Sequence, residues 1–134
     1  MPYKDGSYDD AGFWEQVRSD TPTLLAFWNH NCAPCHVMAP VFERLSKRFK
    51  RRMEFVAVSV YDREDIAKQF GVSSTPTFII TRRGKALRHI YGVIHEARFA
   101  EQLEAHALPA PPDEPRDQKR GILGRFRRRE VTRG

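Results

Sequence analysis

Cysteine is all but missing from this chain: among 134 residues only Cys32 and Cys35 carry a thiol. A pair so close in sequence is a poor staple for a secreted fold, because the loop it closes is short and constrains the unfolded chain little. In a reducing compartment such a pair is catalytic or metal-binding. Long apolar runs are missing as well. No stretch approaches the roughly 18 apolar residues of a membrane span, and Met1 to Ser7 shows no basic segment followed by an apolar one. Neither insertion nor export is expected, which puts the protein in the cytoplasm. Internal repeats are absent too.

What is present is enough for one core. Hydrophobic residues make up 40% of the chain, with nine Phe, four Tyr and two Trp, and the length suits a single domain. The net charge of +6 is unevenly spread: residues 109–134 hold eight Lys/Arg against four Asp/Glu, whereas residues 1–108 hold 15 against 13. Pro109, Pro111, Pro112 and Pro115 mark the change, so residues 1–108 read as the domain and residues 109–134 as a Pro-rich linker with a basic, disordered tail.

The spacing predicts alternating helices and strands. Asp9 or Asp10 caps a short helix through Ser19, with Phe13 and Val17 on one face. Residues 23–28 are apolar on both faces, as in a central strand. Val37, Met38, Val41, Phe42, Leu45 and Phe49 fit the buried face of a long helix with Pro34 in its first turn and a kink at Pro40. Residues 53–60 form a second strand, and residues 65–70 a short helix stopped by Gly71. A hairpin follows over 77–91, turning at Gly84 and broken by Gly92, and a helix over 95–107 buries Phe99 and Leu103.

Two cysteines at i and i+3, where a buried strand gives way to a helix, suit redox chemistry. The helix N-terminus aims unpaired N–H groups and partial positive charge at the first sulfur, which favours its thiolate. Cys32 is then the nucleophile and Cys35 the resolving thiol, with Pro34 holding the turn.

Residues 27–35, Phe-Trp-Asn-His-Asn-Cys-Ala-Pro-Cys, then Ala39-Pro40, residues 71–77 and the later Gly84 and Gly92 resemble the thioredoxin family in order and spacing. The resemblance implies an α/β thioredoxin-like fold, a mixed sheet of four or five strands flanked by helices on both faces. It implies a protein-disulfide reductase whose redox group is the Cys32–Cys35 disulfide, with no further cofactor and no metal. It also makes Pro76 the family's cis-proline, gives the backbone of Thr75 to an extended substrate segment, and lines the groove with Trp28, Ala33, Pro34 and Gly92. Four positions depart from the family pattern. Ala26 replaces a buried aspartate, Ala57 its lysine partner, Asn31 a tryptophan, and Ala33 the usual glycine. In place of that aspartate, His30 and His36 beside the cysteines are candidates for proton transfer.

Other chemistries compete for the same residues. Cys32 to His36 matches the C-x-x-C-H pattern of haem attachment, and Cys32, Cys35, His30 and His36 are ligand types for zinc. Four ligands within seven residues surround one ion poorly, and no second C-x-x-C or H-x-x-H exists to complete a site. A non-catalytic, partner-dedicated binding module and an oxidase or isomerase are the remaining alternatives. The expected partners of a monomer are protein disulfides and a reductase as electron donor, without specific nucleic acid. Ile122, Leu123 and Phe126 among arginines suit tail contact with an anionic membrane or an acidic partner. Tyr61 is expected to pack against the last helix or the active-site rim, and His89, His95 and His106 to be ordinary surface or helix-face residues.

Overall fold

A computed structural model describes residues 10–110. Helix α1 (Asp10–Arg18) leads into β1 (Thr23–Trp28), followed by α2 (Ala33–Arg48), β2 (Glu54–Ser59), α3 (Glu64–Gln69), β3 (Thr77–Arg82), β4 (Lys85–Tyr91) and α4 (Glu96–Glu104). The strands form one sheet in the order β2-β1-β3-β4, with β1 parallel to β2 and the other pairs antiparallel. Among the described residues the sheet therefore has four strands. The weak strand considered for residues 3–7, and the tail, lie outside them.

Every residue of β1 is buried, because the sheet is covered on both sides and the strand is central. Its side chains alternate between two cores. Leu24, Ala26 and Trp28 join Phe42, Leu45, Phe78, Phe99 and Leu103 on the α2 and α4 side. Leu25 and Phe27 face Phe13, Val17, Ile66 and Ile79 on the α1 and α3 side. Trp14 stacks on Phe70 at 5.8 Å between ring centres, closing the second core at its edge.

Two expectations about packing need correction. Val37 is 57% exposed. The buried stripe of α2 runs through Cys35, Met38, Ala39, Phe42 and Leu45, and Val37 sits about 100° round the helix from Met38, off the core side. Pro40 lies exposed inside a helix that continues to Arg48. The last helix stops at Glu104, short of the predicted 107, because Arg52 and Leu108 exchange hydrogen bonds that draw the chain off the helix axis.

The hairpin turn is tighter in its demands than expected. Both Arg83 (φ 54) and Gly84 (φ 80) are left-handed, the combination that matches the twist of a two-residue hairpin. Arg83 tolerates this conformation while its N–H donates to the Ser19 carbonyl and its guanidinium grips Asp20. Gly92, also left-handed at φ 71, ends β4 and donates its N–H to the Pro76 carbonyl at 2.9 Å.

Candidate active site

The cysteines stand where β1 hands over to α2. Cys32 is the helix N-cap, extended at φ −136 and ψ 101, and its Sγ accepts the Cys35 N–H at 3.2 Å. Sulfur thus replaces the oxygen of an ordinary cap, and the amides of the first turn favour negative charge on it. The two residues are joined as a disulfide with their Cα atoms 5.2 Å apart. Exposure separates them: Cys32 keeps 9% of its surface accessible, and Cys35 keeps none. Ala33 and Pro34 between them are exposed.

The antiparallel register opposes Thr77 to Phe27, which brings Pro76 level with Trp28 at the same end of the sheet as Cys32. The Thr75–Pro76 peptide bond is cis. Pro76 is buried, Thr75 is half-buried, and among the described residues no hydrogen bond engages Thr75. Gly92 is tied to Pro76 as above, so two of the predicted groove residues meet directly.

Trp28 behaves differently from the expectation that it lines the groove. Its side chain is 1% exposed, so it supports the rim from below and offers almost no surface to a partner. The ring that covers it is His30, 4.6 Å away between centres. His36 Nε2 lies 3.1 Å from the His30 carbonyl oxygen. A carbonyl only accepts, so in this contact Nε2 carries the proton and the neutral ring keeps Nδ1 as its acceptor. Tyr61 is 78% exposed, and the residue before it, Val60, donates its N–H to the Trp28 carbonyl.

Beneath the disulfide the surroundings are apolar. Ala26 and Ala57 are direct neighbours in the parallel register, both packed in the core that holds Cys35. The two departures from the family pattern are therefore side by side, and with alanine at both, neither charge is buried alone. Among the described residues no three His, Cys, Asp or Glu side chains gather as a metal site.

Sequence reasoning overlooked the exposed apolar residues around this end. Val37, Tyr91 and Val93 are 57%, 65% and 59% exposed. Their signal was adjacency: each lies within two residues of Cys35 or Gly92, in segments without charged neighbours.

Comparison with known proteins agrees with this geometry. The family model described as Thioredoxin matches residues 6–105. Thioredoxin of Haemophilus influenzae is 33% identical over 99 residues, 73% of this chain and 92% of the relative. Thioredoxin 1 of Nostoc is 30% identical over 98 residues, 72% of this chain and 92% of the relative. The crystal structure of a Malassezia sympodialis thioredoxin superposes with a TM-score of 0.69 at 24% identity, covering 73% of this chain and 85% of that one.

Proposed function

Since this chain belongs to the thioredoxin family, as a thiol–disulfide oxidoreductase that reduces protein disulfides with its own cysteine pair, we propose the following division of labour in its site. Cys32 is the attacking thiol. As a thiolate it displaces one sulfur of a substrate disulfide, forming a mixed disulfide and releasing the other sulfur as a thiolate that takes up a proton. Cys35 then loses its proton and attacks Cys32 Sγ. This step closes the Cys32–Cys35 disulfide, passes two electrons in all to the substrate, and frees its second thiol. A reductase returns the electrons. The observation that carries the assignment is the asymmetry of the pair: Cys32 caps the helix at the surface, and Cys35 is sealed one turn in.

With Ala26 and Ala57 below, the proton on Cys35 has no buried carboxylate to receive it. His36 Nδ1 is the base we assign, and His30, which covers Trp28 and supplies the carbonyl, positions it. Substrate docks as an extended segment against Thr75, whose backbone is open to pairing, over Pro76, Gly92, Ala33 and Pro34. Exposed Val37 and Val93 supply apolar contact on either side. We place the reaction in the cytoplasm, where the redox poise keeps such a pair reduced, and assign it to a monomer. The folded unit is taken to end at Leu108, a reading supported by the hydrogen bonds between Leu108 and Arg52.

Insulin reduction with dithiothreitol as donor tests the scheme. Cys32→Ser should abolish turnover, and Cys35→Ser should accumulate a substrate adduct on Cys32; an adduct on Cys35 in Cys32→Ser instead would reverse the roles. His36→Ala should slow resolution of the mixed disulfide by about tenfold near neutral pH. An unchanged resolution rate removes His36 from the mechanism and leaves the cysteine assignments standing.

A further inference from the structure

The end of the sheet opposite the cysteines carries a second functional surface, built from charge. Thr23, Glu54 and Thr81 lie side by side there, and the six residues of β1, at roughly 3.3 Å each, hold that row about 17 Å from Trp28. The last turn of α2 and the turn after it bring Lys47, Arg48, Lys50, Arg51 and Arg52 to this end, tied to the start of β2 by bonds from the Arg52 and Met53 N–H groups to the Phe49 carbonyl. The hairpin adds Arg82, Arg83 and Lys85, and its N–H bonds from Arg83 and Gly84 to Ser19 and Val17 bring Arg18 beside them.

The acids present fall well short of neutralising this set. Asp20 is shared by Arg82 and Arg83, Glu104 is taken by Arg52, Glu43 by Lys47, and Glu54 is a further carboxylate at this end. Lys50, Arg51 and Lys85 are exposed and form no ion pair among the described residues. Arg51 is held outward in the left-handed conformation at φ 71.

We propose that this basic end docks on an anionic phospholipid bilayer, leaving the Cys32 end turned toward solvent. Charge complementarity calls for a polyanion. The route of the chain selects lipid over nucleic acid. Leu108, bonded to Arg52, lies at this same end, and residues 109–134 follow it in sequence. That stretch sets Ile122, Leu123 and Phe126 among Arg120, Arg125, Arg127, Arg128 and Arg129. Apolar side chains between arginines enter the headgroup boundary of a bilayer, where the cations meet lipid phosphates, and a nucleic-acid backbone offers the aliphatic pair nothing. The separation also keeps the two activities independent. About 17 Å along β1 separates this row from Trp28 at the cysteine end, so a bilayer under Arg51 leaves Cys32 open to a protein substrate.

The test uses the full chain in co-sedimentation with vesicles of equimolar phosphatidylcholine and phosphatidylserine, against phosphatidylcholine alone. The chain should bind the mixed vesicles only, and less as salt rises. The variant Lys50→Glu, Arg51→Asp, Lys85→Glu should bind them at least about tenfold more weakly while reducing insulin at the parent rate. Should that variant lose activity through misfolding, Lys50→Gln, Arg51→Asn, Lys85→Gln replaces it, with a loss of about threefold expected. Equal binding by parent and active variant overturns the proposal. So does equal binding to both vesicle types, and so does tighter binding to a duplex DNA fragment at the same salt.

Discussion

The two ends of this sheet are made from the same four strands and have opposite chemistry. Residues 28–40, 71–77 and 91–94, which build the cysteine end, contain no Asp, Glu, Lys or Arg, whereas residues 47–54 alone contain five cations and one acid. The cysteine end has a Thr75 backbone without a hydrogen bond among the described residues, exposed Val37 and Val93, and a sulfur that accepts a helix N–H. At the other end, chain turns that any fold must make have been filled with lysine and arginine.

The largest effect that would sharpen this contrast comes from charging the interior beneath the cysteines. Ala26→Asp buries a carboxylate with no partner at a position with zero exposure, and should cost about 3 kcal/mol or more of stability in chemical denaturation. Adding Ala57→Lys, its neighbour in register, should recover part of that loss; no recovery would mean that the two positions do not face one another. At the basic end, Gly84→Ala should cost about 1 kcal/mol, because φ is 80 and the added methyl meets only Arg18 Cγ at 3.8 Å. Insulin reduction should be unchanged in that variant, since the turn lies at the far end of β3 from Pro76; a changed rate would show that the ends communicate.

The smallest effect is a pH dependence at His106. This residue is half-buried just past the end of α4, and its Nε2 is buried without a hydrogen-bond partner among the described residues. Burial, and then the charge of Arg88 on β4, push its imidazole below the ordinary value of 6.5. The folded state therefore holds this ring neutral, while the unfolded chain takes up a proton below that value. Its contribution to stability is whole above pH about 6.5 and is lost as pH falls through the unfolded value toward the lower folded one. His106→Gln should flatten that part of a stability profile measured between pH about 5 and 7; an unchanged slope would assign the dependence elsewhere. The carboxylates held low by arginines, Asp20 and Glu104, act further down the scale, where stability is lost as they protonate.

Much of this architecture was readable in the residues because it rests on local periodicity. The continuous apolar run in β1, the helical spacing from Met38 to Phe49 and the turn residues around Gly84 each depend on neighbours within a few positions. The misreadings arose where a side chain's fate depends on distant elements. Val37 is apolar and adjacent to a true core position, and only the placement of α2 on the sheet leaves it outside. Trp28 is expected to line the groove, and only its packing in the core, with 1% of its surface exposed and the His30 ring against it, shows that it offers a partner almost nothing. The shortened α4 reflects Arg52, which lies more than fifty residues away from Leu108 in sequence.

By itself, then, the sequence determined the redox pair, the helix that begins at it, the order of strands and helices and the membership of a family, since short-range spacing is enough to specify all of them. Tertiary structure decided which cysteine faces solvent, that Ala26 and Ala57 lie side by side, and that scattered lysines and arginines from three elements share one face. These are properties of where the ends of strands and helices converge, and that convergence exists only once the sheet has assembled.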